Sequence, residues 1–308
     1  MEVYVRQLRR IVIIAGLLLW GSANIAWGIE IACTTTIVGD VVSRIVGEEA
    51  VVWVLLPTDA DPHAFEPRPQ DVVALERAAL IFANGLDLEA GMADILEAVG
   101  TPIVSLSDNI EGLLPAEAHE EGEEDAHDHT GIDPHVWFDP TLVAQWIDII
   151  VDRVGTLLPS SASTLAAQAD VYRQELASLD AWILTTVATL PEERRHLVSD
   201  HRVLGYFAHR YGFTLAGTVI PGISSLAEPS ARGLAELIAA IERLDVPAIF
   251  VGTTANPALA EQVAADTGIQ VVMLYTGSLS DPEGPAATYL DFMRYTTTAI
   301  VDALNEAN

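Results

Sequence analysis

The chain has 308 residues, 44 acidic against 15 basic side chains, and a formal charge of −29. Every one of the 15 basic residues is Arg, which excludes a Walker A loop and Schiff-base catalysis, because both need a lysine. The charge also excludes the basic stripe on which nucleic-acid binding depends, so no nucleic-acid partner is expected. With half its residues hydrophobic and 19% charged, the chain has the composition of folded globular structure in one large or two medium domains.

Residues 1–28 read as a secretory signal peptide. Arg6, Arg9 and Arg10 precede an apolar run over 11–20, and small residues lead to Ala26-Trp27-Gly28. The run is shorter than the roughly 20 residues that span a bilayer, which favours cleavage near Gly28 over an uncleaved anchor. A lipid on Cys33 is a third option, opposed by Glu30 where a lipid-attachment motif wants an aliphatic residue. The mature chain is therefore expected at the periplasmic or extracellular face of the cell membrane. Cys33 is the single cysteine, so an intrachain disulfide, sulfur-based zinc sites and iron–sulfur clusters are excluded, and any metal must be held by nitrogen and oxygen.

From Ile29 onwards short apolar runs alternate with helical stretches, a pattern that predicts mainly parallel α/β sheets flanked by helices. Strands are expected over 30–33, 51–56, 80–83 and 103–106, with helices over 38–46, 69–76, 89–99 and from Pro140 towards Leu158. Residues 160–190 form the longest uninterrupted helical stretch, opened by the capping residues Ser160, Ser161 and Ser163 and stopped by Pro191. Beyond it, strands over 196–199, 214–219, 248–251 and 271–274 alternate with helices over 203–211, 231–244 and 257–267. The expected division is an N-terminal lobe over 29–158, a linking helix over 159–191 and a C-terminal lobe over 192–308.

Histidine is where chemistry enters. Asp61-Pro62-His63 and Asp133-Pro134-His135 share a frame in which proline precludes regular helix just before the imidazole. His201 follows directly on a strand. Ligands of open α/β sheets sit beyond the carboxyl ends of strands, so these three loops can converge in one cleft. A lone histidine is usually a core or surface imidazole, and His196 and His209 are read that way; three at comparable loop positions in a chain without usable cysteine point to a metal. Asp281 is the candidate fourth ligand, with Glu283 and a simple Asp-Pro turn as rivals. Residues 115–131 carry His119, His127 and His129 among seven carboxylates; this is a solvated acidic loop or a weak accessory metal site.

These segments resemble the metal-specific solute-binding proteins of ABC transporters, in particular the zinc branch. The resemblance spans the mature chain and is carried by 61–67 (DPHAFEP), 131–140 (GIDPHVWFDP), 201–208 (HRVLGYFA) and 227–230 (AEPS). It implies two α/β lobes joined by one rigid helix, a metal in the cleft between them, and no enzymatic activity. By position it implies His63, His135, His201 and Asp281 as ligands. It also implies Zn²⁺ as the transported ligand, with manganese or iron as the alternative and a secreted zinc hydrolase as a more distant one. The implied partners are a membrane permease with its cytoplasmic ATPase, with loading by a metallochaperone left open, and the chain itself is expected to be monomeric. Imidazole at His201, where relatives preferring manganese carry a carboxylate, favours zinc. Gly252 departs from the pattern, since many relatives have an acidic residue there, and Glu228-Pro229-Ser230 is expected to start a helix with proline in its first turn.

Overall fold

A computed structural model describes residues 28–116 and 131–305. The signal-peptide segment and His119, His127 and His129 lie outside the described residues.

The first sheet is built from β1 (Ile29–Cys33), α1 (Thr36–Val46), β2 (Ala50–Val54), α2 (Pro69–Leu75), β3 (Leu80–Ala83), α3 (Ala93–Ala98) and β4 (Ile103–Ser105). Its strands are all parallel, in the order β2-β1-β3-β4. Two long helices follow, α4 (Pro140–Leu157) and α5 (Ala162–Val187). The second sheet comprises β5 (His196–Ser199), α6 (Gly205–Tyr211), β6 (Thr214–Thr218), α7 (Ala231–Leu244), β7 (Ala248–Gly252), α8 (Ala258–Thr267) and β8 (Gln270–Leu274). It is again parallel, in the matching order β6-β5-β7-β8, and α9 (Tyr289–Asn305) ends the described chain. These are two α/β lobes with a long helix between them in sequence.

Alternation along each strand explains why both sheet faces are covered. In β1 and β3, Ile31, Cys33, Leu80 and Phe82 point into one apolar cluster while Ala32 and Ile81 point into another. In the second sheet, Leu197, Ala248 and Phe250 face the first of these clusters, and Val198, Ile249 and Val251 an outer one. Parallel strands buried on both faces require this two-sided apolar pattern. Cys33 is fully buried within β1, and burial raises its thiol pKa far above the ordinary value.

α5 does more than connect. Leu165, Ala169, Tyr172, Leu176, Leu179, Ile183 and Val187 form a buried stripe at three- and four-residue spacing. They belong to the one apolar cluster that also takes in β1 and α4 from the first lobe and β5, β7 and α9 from the second. Arg210 of α6 is tied to Asp180 of α5 by paired bonds of 2.6 and 3.1 Å, and the Tyr211 hydroxyl donates to the same carboxylate at 3.1 Å. The long helix is therefore a shared wall of both lobes.

Several local expectations change. α5 begins at Ala162 after a 3-10 turn over Pro159–Ser161, and no serine side chain caps it, because the Ser161 hydroxyl donates instead to Glu49 of the neighbouring α1–β2 turn. α7 starts at Ala231 with Ser230 as its cap, accepting from the Gly233 amide at 3.0 Å, so Pro229 lies before the helix rather than in its first turn. The helix expected over 89–99 is a 3-10 turn, Ala90–Met92, followed by the short α3. α9 was not anticipated; at its start the Thr288 hydroxyl accepts from the Asp291 amide at 3.2 Å and donates to the Asp291 carboxylate at 2.7 Å.

Leu176→Ala removes a side chain from the wall common to both lobes and should cost about 2–5 kcal/mol. Urea unfolding followed by tryptophan fluorescence and by far-UV circular dichroism should give coincident transitions, lowered together in the variant. Two separated transitions would contradict a shared core.

Candidate metal centre

Each histidine is delivered by a short loop that leaves a strand or enters a helix. His63 stands in the irregular stretch after β2, where the Asp61 side chain accepts from its backbone amide at 2.9 Å. His135 repeats the turn, Asp133 accepting from its amide at 3.0 Å, and then leads through a 3-10 turn to Asp139, which caps α4 by accepting from Thr141 at 2.8 Å. His201 comes one residue after Asp200, which follows β5 and whose amide donates to Phe250 of β7. The aspartate-turn geometry, not the proline alone, presents the two Asp-Pro-His imidazoles.

The three rings close a nearly equilateral triangle. Their centroids lie 5.2 Å (His63–His135), 5.2 Å (His135–His201) and 5.7 Å (His63–His201) apart, and one ring nitrogen of each falls within 4.8 Å of the others. The His63 and His135 Nε2 atoms are 3.1 Å apart. Two nitrogens of a tetrahedral zinc site, each about 2.0–2.1 Å from the ion, stand roughly 3.3 Å from one another, so the spacing is that of a coordination sphere. His135 and His201 are buried, at 1% and 6% exposure, and His63 is partly exposed.

Two carboxylates set the direction of the buried rings. His135 Nδ1 donates to Asp133 Oδ1 at 2.7 Å and His201 Nδ1 donates to Asp200 Oδ1 at 2.9 Å. Each bond fixes the neutral tautomer that leaves an Nε2 lone pair facing inward, the usual arrangement behind metal-bound histidine. In keeping with this, His201 Nε2 is buried with no hydrogen-bond partner. Burial pushes the His135 imidazole's pKa down, against the opposing pull of Asp133. Burial would raise Asp200, but bonds from His201 and from the Gly252 amide outweigh it and hold the carboxyl below its ordinary range.

Gly252, at the end of β7, supports Asp200 from the backbone. Its amide donates to Asp200 Oδ2 at 2.9 Å, and a Cβ there would fall 2.3 Å from Thr276 Oγ1 and 3.2 Å from Asp200 Oδ2. The backbone itself does the supporting. The lobes are also clipped together beside the site. The Tyr206 hydroxyl of the second lobe donates to the Asp133 carbonyl at 2.8 Å and accepts from Leu114 at 3.0 Å, both in the first; within the first lobe, Asn84 Nδ2 donates to the Pro134 carbonyl at 3.1 Å. Asp133, Asp200, Asn84 and Tyr206 were not identified from sequence as site residues; the two aspartates were adjacent to the histidines and therefore findable.

Asp281 is not brought to the triangle. Among the described residues the metal-capable group consists of His63, His135 and His201. Asp281 is exposed, in a turn that its own carbonyl closes by accepting from Ser280 Oγ at 3.0 Å and the Gly284 amide at 2.8 Å. The part of this segment that returns to the site is Thr276-Gly277: the Thr276 carbonyl accepts from Trp137 Nε1 at 2.9 Å, and Gly277 packs on Pro62. His196 and His209 lie in β5 and α6, apart from the cluster.

Comparison with known proteins identifies the family. Residues 31–303 match the family described as zinc-uptake complex component A, periplasmic. The chain is 31% identical over 288 residues to the manganese-binding lipoprotein MntA of Halalkalibacterium halodurans, covering 93% of this chain and 92% of that one. It is 29% identical to the zinc-binding protein TroA of Treponema pallidum, with 89% and 88% covered, and 27% identical to the iron-binding protein YfeA of Yersinia pestis, with 90% and 86% covered. The solved structure of the Treponema pallidum periplasmic zinc-binding protein TroA superposes with a TM-score of 0.80 at 27% identity, over 90% of this chain and 99% of that one. A manganese-bound periplasmic metal-binding protein from Candidatus Liberibacter asiaticus gives 0.77 at 27% identity, over 89% and 99%. The chain belongs to the zinc-uptake component A family, metal-binding solute-binding proteins of ABC transporters and not enzymes.

Proposed function

We propose that this protein captures Zn²⁺ outside the cytoplasm and delivers it to a membrane permease, whose cytoplasmic ATPase drives uptake. The observation that carries the choice of metal is the donor set: three imidazole nitrogens within 4.8 Å, with no carboxylate in the group among the described residues. Imidazole suits zinc, whereas manganese favours carboxylate and water oxygen. The name of the 31%-identical relative favours manganese; the donor chemistry opposes it. His63, His135 and His201 are the ligands we assign, and Asp281 is left outside the set.

In competition titrations zinc should displace manganese from the purified mature chain. His201→Ala should weaken zinc by more than about 100-fold, beyond the 10–100-fold typical of losing a residue that only orients a ligand, and Asp281→Ala should leave it unchanged. Preferential manganese binding would overturn the metal assignment, and a large loss in Asp281→Ala the ligand assignment.

Asp200→Asn keeps the size of the side chain but replaces the carboxylate that orients His201. It should weaken zinc by about 10–100-fold without abolishing binding, as read by isothermal titration. Wild-type affinity would show that the carboxylate has no part in holding the ring.

The imidazoles must be neutral to bind, so acid competes with zinc. Because burial lowers the pKa of His135, that ring stays neutral to a lower pH than a free histidine, at about 6.5. Its proton affinity is greater in the unfolded chain, so the metal-free protein should lose stability as pH falls through the unfolded value, and zinc affinity should fall on further acidification. Equal zinc affinity at pH 7.5 and 5.5 would refute a histidine-dominated site.

A further inference from the structure

We propose that Ser225 is a positioning residue of the metal centre: from the second lobe, through the Asp61 carboxylate, it holds the His63 turn where it meets the other two imidazoles. The inference rests on the three-histidine reading above. It begins with a difference among three aspartates. Asp133 Oδ1 accepts from both the amide and the ring of His135, at 3.0 and 2.7 Å, and Asp200 Oδ1 accepts from both the amide and the ring of His201, at 2.6 and 2.9 Å. Asp61 Oδ1 accepts from the His63 amide at 2.9 Å, but its other oxygen reaches away from the histidine and accepts from Ser225 Oγ at 2.6 Å.

Ser225 lies in the loop between β6 and α7, so this bond crosses from one lobe to the other. Its length is that of a hydroxyl donating to an ionised carboxylate, a bond roughly twice as strong as a neutral one. One carboxylate thus joins the backbone of a ligand in the first lobe to a side chain of the second.

The segment around His63 is built to need such a hold. Residues 57–64 form no helix or strand, and their backbone closes two short turns, Ala60 to Pro57 and Ala64 to Asp61. Asp59 takes the left-handed conformation, at φ 61°, which is unfavourable for a residue with a Cβ and persists where the surroundings impose it. The second lobe is part of those surroundings: the Asp59 amide donates to Ser278 Oγ at 3.2 Å, and Pro62 packs against Gly277. His135 and His201 are buried while His63 is partly exposed, so its place depends less on packing and more on the bonds along its turn. Parting the lobes breaks the Ser225–Asp61 bond, and His63 loosens as the cleft opens.

The test uses the full mature chain. Ser225 is partly exposed in a loop, so its variants leave the core untouched. Ser225→Ala should weaken zinc about tenfold, the lower end of the loss for residues that orient a ligand from behind, as read by competition with a chromophoric chelator. Ser225→Thr keeps the hydroxyl and should restore the affinity. In the metal-free protein, Ser225→Ala should speed amide hydrogen exchange in peptides covering 59–66 and leave those covering 133–139 unchanged. A residue that merely fastened the lobes would loosen the His135 segment too, since Tyr206 and Trp137 tie that segment to the second lobe. Wild-type zinc affinity in Ser225→Ala, a loss that Ser225→Thr does not restore, unchanged exchange at 59–66, or an equal rise at 133–139 would each overturn the proposal. A wild-type chain that binds no zinc would instead remove the three-histidine site, and this inference with it, whatever the exchange shows.

Discussion

Two buried carboxylate–imidazole pairs govern this molecule. A neutral imidazole has two nitrogens of opposite character, and a ring that can rotate presents either one. Asp133 and Asp200 remove that choice for His135 and His201 by accepting from Nδ1, which leaves two lone pairs converging on a point that His63 also faces. Burial strengthens these bonds, because the surroundings screen them less than water would. It also discourages protonation of His135. Fixing the tautomer and direction of both rings reduces the reorganisation that coordination asks of them.

That preparation requires the lobes to be held in register, since His135 belongs to the first and His201 to the second. The apolar cluster running along α5 supplies the broad contact, and the Tyr206 hydroxyl, bridging Asp133 and Leu114 from α6, supplies the local one. Trp137 joins in from the other direction: its ring lies against His135, its Nε1 donates to Thr276, and its carbonyl accepts from Tyr289. Tyr206 and Trp137, both beside the imidazole cluster, are therefore bonded to both halves of the chain. Transport needs the ion released as well as captured, and a site whose ligands are divided between lobes can be dismantled by moving one lobe, without chemistry.

The donor set also frames selectivity within a family whose relatives carry the names of manganese, zinc and iron binders. A fold held in common cannot decide between these ions; the atoms at the centre do. Three imidazole nitrogens are what the described residues bring together here, and the Gly252 amide holds the carboxylate behind one of them.

Much of this was written in the linear chain. Short apolar runs alternating with helical stretches determined both sheets and the long helix, because strands buried on both faces and helices buried on one leave a direct trace in residue order. The Asp-Pro-His frames determined where two imidazoles would stand, since proline and an aspartate turn act within three residues. Tertiary structure decided what depends on distant loops meeting. It paired Asp200 with Gly252 across 52 positions, turned Ser161 from a helix cap into a partner of Glu49, and brought Thr276-Gly277 rather than Asp281 back to the site. Local rules cannot foresee these outcomes, because the path of a loop between strands is set by what it packs against, and only the folded chain supplies that surface.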